Sequence, residues 1–200
     1  ERYPDEPYRQ KLRLMRERLR RVTDVRPHGY DAPAGLIADL ELLDASLRAN
    51  DAAIVADVHI KPLLRQVDTF GFTLASLDLR DHRENHTATI AALLGRVGVD
   101  YAAMDEAERV AFLTDAVAQD APVVDLTATE GLDAVPQRVC ERFTAFAGWQ
   151  QEYGIQAIDT YCISMTEAAS HVLEVLFLAD QAGVVDLPDH AGVDIVPLLE

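Results

Sequence analysis

Arg80, Asp81, His82 and Arg83 form a row of four polar side chains directly after an apolar run. A guanidinium at the end of a strand is a planar fork that matches phosphate or carboxylate. In α/β barrels, chemistry collects at the C-terminal ends of the strands. Met165 and Glu200 close two later apolar runs in the same way. Three polar or functional residues at three successive strand ends make a pattern that a scaffold has no need for. Other combinations are weaker. His82, Glu84 and His86 suggest zinc, but three spaced ligands and an open site are not evident. His86 reads better as a hydrogen-bonding residue on a helix face. Ser164 lacks an identifiable base and a G-x-S-x-G setting. Arg80 read alone is also a candidate for a structural ion pair with Asp78 or Asp81, a common and weak arrangement.

The elements that must position these groups follow from periodicity. Thr73, Ala75, Leu77 and Leu79 alternate with Leu74, Ser76 and Asp78, which predicts a strand over 73–80 covered on both faces, as in a parallel sheet. Phe70-Gly71-Phe72 is a point where the backbone can bend before it. Thr160 to Met165 predicts a second short buried strand, and Val193 to Leu198 a third. Helices are predicted over 36–47, from a cap at Asp51 to about Gln66, over 82–97, 105–119 and 136–153, and over 167–182 with Thr166 as cap. Pro62 should kink its helix or start a new segment. Gly98, Gly154 and Gly183 are placed to end helices. Phe143, Phe146 and Trp149 read as core. Strands separated by helices of this length pair in parallel with the helices outside.

Composition narrows the function classes. The chain has 200 residues, 49% hydrophobic and 26% charged, which is globular. Its formal net charge of −16 argues against nucleic acid or an anionic membrane as partner. No apolar run approaches the ~20 residues that cross a bilayer. Cys140 and Cys162 read as free thiols in a reducing cytoplasm. Nine of the eighteen Lys and Arg lie in residues 1–26. There Leu12, Met15, Leu19 and Val22 have helical spacing, predicting a helix with a solvated basic face. A Pro/Gly connector follows at 26–35. Three strands are too few to close a barrel, so the expectation is an internal piece of a larger α/β catalytic domain. Residues 1–66 are mainly helical and 67–200 carry the strand–helix units.

Three segments together resemble the phosphoenolpyruvate carboxylase family. Val67-Asp68-Thr69-Phe70-Gly71-Phe72, followed by Leu77-Asp78-Leu79-Arg80 and His86, is similar to that family's DTFG…LDIRQ…H pattern. Tyr161 to Met165, with Ser170 and Val172-Leu173 after it, resembles its Y-ISM…SDVL. Val196-Pro197-Leu198-Leu199-Glu200 resembles its VPLFET, and Tyr8-Arg9 its EPYR. The chain departs from the pattern at Asp81, where the family has Gln, and at His82-Arg83, which replace a short polar pair. It departs also at His171, where the family has Asp, and at Leu199, where it has Phe.

The resemblance implies a helix-rich part of a TIM-type (β/α) barrel, of the phosphoenolpyruvate/pyruvate kind, incomplete in this chain. It implies a carbon–carbon lyase that turns phosphoenolpyruvate and bicarbonate into oxaloacetate and phosphate with Mg2+ or Mn2+. It carries substrate binding to Arg80 and metal binding to Glu200, and sets the catalytic histidine outside these residues. A cytoplasmic homotetramer is the implied assembly, and the 200 residues alone are expected to be inactive. The alternative is a helix-rich scaffold or protein-interaction domain without catalysis.

Overall fold

The computed structural model describes residues 5–23, 27–73, 75–119 and 121–199. The chain divides into two compact units, Glu1–Ala75 and Ser76–Glu200.

The first unit contains α1 (Pro7–Thr23), α2 (Pro33–Ala49), α3 (Ala53–Val55), a π-helical turn at Ala56–Ile60 and α4 (Lys61–Phe70). Met15, Tyr30, Leu36, Leu40, Leu43, Ile60 and Val67 make its core. The stripe expected on α1 is only partly buried: Met15 is inside, while Leu12 and Leu19 face solvent. Its basic face is not simply solvated either. Lys11 and Arg18 lie two turns apart and both ion-pair with Asp39 of α2. The Tyr30 hydroxyl donates to the same carboxylate at 2.7 Å.

Pro62 acts as its chemistry requires. A mid-helix proline has no N–H and crowds the carbonyl four residues back, and the wider π turn immediately before it accommodates both. Asp51 does not cap the next helix. It adopts φ 58°, a turn conformation that Asp tolerates, and Ala52 takes the N-cap position without a side-chain bond. The helix runs past Gln66 to Phe70, where Gly71 at φ 57° and ψ −129° ends it in a conformation open to glycine.

The second unit is built on a parallel sheet in the order β1 (Asp78–His82), β2 (Thr160–Ser164), β5 (Asp194–Pro197). Arg80 pairs with Cys162, and Cys162 with Val196. Helices α5 (Arg83–Arg96), α6 (Glu106–Val117), α7 (Ala134–Tyr153) and α8 (Ala169–Gln181) make up most of the rest. A two-stranded antiparallel hairpin, β3 (Val185–Asp186) with β4 (His190–Ala191), lies between α8 and β5. The parallel pairing and helical connections agree with the sequence reading.

The strands are shorter and less covered than expected. The first begins at Asp78 rather than residue 73, and Leu77 is 64% exposed. Leu74 lies outside the described residues. β1 and β5 each have one strand neighbour among the described residues, so only β2 is sandwiched. There Tyr161 and Ile163 are fully buried, whereas the third expected buried strand is largely exposed.

Ile90, Leu94, Leu113, Val139, Phe143 and Phe177 pack with Tyr161 and Ile163 in one core. Trp149 does not complete the aromatic cluster with Phe143 and Phe146, being 40% exposed. Asp105 and Glu108 form a reciprocal capping box at the start of α6. Gly154 and Gly183 follow α7 and α8 as expected. Thr166 is not the cap of α8, which starts at Ala169 after Ala168. Its hydroxyl instead donates to Ile163 O at 3.1 Å, and its N–H to Leu198 O at 3.0 Å. The orphan N–H of Ser170, in the first turn of α8, is taken by Glu106 of α6.

Candidate functional site

The C-terminal ends of the three parallel strands converge. Arg80 is exposed on β1, and its Nε donates to Ser164 Oγ on β2 at 2.9 Å. Met165 follows with φ 59°, turning the chain off the strand. Leu198 N–H donates to Ile163 O at 2.9 Å, and with the Thr166 bond this ties the end of β5 to the end of β2. Leu199 is 83% exposed. Glu200, the expected metal ligand, lies outside the described residues. Arg80 does not close its strand as expected: β1 runs two residues further, to His82, and Arg80 reaches the end of β2 only through Ser164, the residue before Met165.

A row of charged and aromatic groups supports these ends from the other face of the sheet. Asp81 ion-pairs with Arg142 of α7 and accepts from Asn85 Nδ2 at 2.6 Å and from the His82 N–H at 2.8 Å. Burial pushes this carboxyl up, but the bonds from Asn85, the His82 N–H and the Arg142 guanidinium outweigh it and hold its pKa below the usual carboxylate range. His86 is fully buried, with Nε2 2.8 Å from the Tyr161 hydroxyl and Nδ1 without a partner. His82 instead takes the N-cap of α5, where its ring accepts the Glu84 N–H, so the two histidines serve different tasks. Among the described residues, no group of three or more His, Cys, Asp and Glu is placed to hold a metal ion.

Beside this row, Arg83 meets Glu167 at 2.8 Å and His171 at 3.4 Å, linking the start of α5 to the loop before α8 and to its first turn. Deeper in, Glu174 is fully buried. It accepts Thr87 Oγ1 at 2.8 Å and the Tyr101 hydroxyl at 3.0 Å, and burial raises its pKa. Sequence reading passed over Arg142 and Glu174. Arg142 had a usable signal: it sits three residues after Val139 and four before Phe146, inside the apolar stripe of α7.

His86 carries a pH prediction. Desolvation lowers its pKa to about 4 from an ordinary 6.5. Between those values the unfolded chain binds a proton that the folded unit refuses. The contribution to stability is therefore full above about pH 6.5 and is lost as pH falls towards 4. Thermal unfolding followed from pH 7 to pH 4 should show the decline, and His86→Gln should make it shallower. An unchanged slope in that variant would assign the decline to other groups.

Among the described residues no helix is long and apolar enough to cross a membrane. The family model described as phosphoenolpyruvate carboxylase matches residues 1–200. A phosphoenolpyruvate carboxylase of Roseiflexus castenholzii is 34% identical over 215 aligned residues, covering 100% of this chain and 23% of the relative. One from Mycolicibacterium paratuberculosis is 37% identical, covering 98% of the chain and 23% of the relative. One from Xanthomonas euvesicatoria is 37% identical, covering 100% and 21%. The chain thus spans about a fifth of the length of these relatives. Because the match runs from the first residue to the last and takes in all three strand-end segments, the chain belongs to the phosphoenolpyruvate carboxylase family.

Proposed function

We propose that this chain supplies part of the active site of a phosphoenolpyruvate carboxylase, within a larger catalytic domain whose sheet continues into a TIM-type barrel. The observation that carries the reading is Arg80, two residues before the C-terminal end of β1, held through Nε by Ser164 at the end of β2. A guanidinium so placed can bind the phosphate or carboxylate of phosphoenolpyruvate. The reaction passes phosphate to bicarbonate, leaving carboxyphosphate and the enolate of pyruvate, and the enolate then attacks carbon dioxide. Arg80 binds and orients the anion while charge moves across the phosphoryl group.

Glu200 would contribute one oxygen to Mg2+ or Mn2+, a hard cation that in this chemistry stabilises the enolate oxygen. One carboxylate is an incomplete ligand set, and the described residues provide no metal-binding group of three. The reading extends to phosphoenolpyruvate and bicarbonate as substrates, a homotetramer as the assembly and the cytoplasm as location.

Bicarbonate-dependent phosphate release tests it. The intact enzyme carrying this sequence should release phosphate from phosphoenolpyruvate, and the purified 200 residues alone should not. An inactive intact enzyme would refute the carboxylase reading, and turnover by the 200 residues would refute the assignment of catalysis to a larger domain.

A further inference from the structure

Asp81 follows Arg80 on β1 and leaves the strand on the opposite face, because successive side chains alternate. Its carboxylate is 10% exposed and that of its partner, the Arg142 guanidinium, 23%. Arg142 also interacts electrostatically with the Tyr161 hydroxyl, which meets His86 Nε2 at 2.8 Å. The Tyr161 ring stacks on Phe143 with centroids 5.2 Å apart. With Asn85 and the His82 N–H on Asp81, one network joins the last residues of β1 to β2, α5 and α7.

Without Arg142, Asp81 would keep only Asn85 and the His82 N–H, and without Asp81 the Arg142 guanidinium would lose its counter-ion, so removing either partner alone is costly. β1 has a single strand neighbour, β2, among the described residues. Charge-assisted bonds from α7 and α5 onto the residue next to Arg80 restrain the end of β1 from behind, while Ser164 restrains Arg80 from the front. Productive anion binding by a planar fork depends on direction, and a misplacement of about 1 Å can cost on the order of a hundredfold in rate.

We propose that the Asp81–Arg142 pair is a positioning device, fixing the end of β1 so that Arg80 presents its guanidinium to the anionic substrate. The inference rests on the reading of Arg80 as the anion-binding residue.

The test is a double-mutant cycle in the intact enzyme, measuring kcat, KM for phosphoenolpyruvate, apparent metal affinity and thermal midpoint. Asp81→Asn and Arg142→Gln should each raise KM for phosphoenolpyruvate about tenfold, with a smaller change in kcat and unchanged metal affinity. In an Arg80→Lys background the same changes should add less than about twofold, because the fork they orient is already gone. Should a single variant fail to fold, Asp81→Asn combined with Arg142→Gln leaves no unpaired charge and carries the same KM test. A merely structural pair would lower the thermal midpoint and the active fraction, leave KM unchanged and act additively with Arg80→Lys. That outcome overturns the proposal. An Arg80→Lys enzyme that loses activity beside a normal Asp81→Asn enzyme overturns the positioning role alone. Wild-type kinetics in Arg80→Lys overturns the reading beneath it, and the proposal with it.

Discussion

Arg80→Lys in the intact enzyme is expected to lower kcat/KM for phosphoenolpyruvate by roughly ten- to a hundredfold, with little change in apparent metal affinity. Lysine keeps the charge but not the planar fork, so it cannot make two parallel bonds to one anion. Its ammonium also cannot reproduce the Nε donation to Ser164 that fixes the head group. A lost charge-assisted contact costs about 1.5–3 kcal/mol, which converts to that range of rates. Glu200→Gln should fail differently. It preserves shape and removes charge, so apparent metal affinity should fall and excess metal should restore part of the rate. Steady-state kinetics against phosphoenolpyruvate and against metal, run on both variants, separate the two roles. Two folded variants with near-normal kinetics would leave both residues as structural strand ends.

Phe143→Ala should be the most damaging single change to the second unit, costing about 3–5 kcal/mol. The ring is fully buried on α7 and stacks on Tyr161 of the central strand. Truncation opens a cavity between helix and sheet and removes the wall that holds Tyr161 against Arg142 and His86. Domain stabilities are about 5–15 kcal/mol in total, so the loss takes a large share. Hydrogen exchange in the intact enzyme reads it locally. Protection of amides in α7 and β2 should fall at least about a hundredfold, while α2 and α4 of the first unit change much less. Equal protection in variant and parent would mean that the sheet does not depend on this contact.

Local chemistry determined a good deal. Pro62 has no N–H, so the helix had to change there whatever surrounded it, and the π turn at Ala56–Ile60 is the form the change took. Gly154 and Gly183 end helices because glycine readily takes the backbone conformation needed there. Asp105 and Glu108 cap α6 through bonds confined to one turn. Alternation and helix-length spacers were enough for parallel strands, and short motifs were enough for the family.

Other features depend on neighbours that no window of sequence contains. A run over 73–80 alternates like a strand, yet only 78–82 finds a partner in β2, and unpaired backbone does not become sheet. Asp51 and Thr166 are good capping residues by type. One sits in a left-handed turn, and the other is drawn to the ends of β2 and β5, so neither caps. Asp81 reads as one charge in a polar row, and Arg142 as one charge on a long helix. They are 61 residues apart, and only folding makes them a pair. Glu174 is similar: its burial is tolerable because Thr87 and Tyr101 arrive from elsewhere in the chain. The sequence alone determined which family's motif Arg80 belongs to, while the structure moved it from the expected end of a strand over 73–80 to the middle of 78–82. Tertiary structure decided what holds the strand end in place, because the energy of a buried charge is set by its partners, and partners are a property of three dimensions.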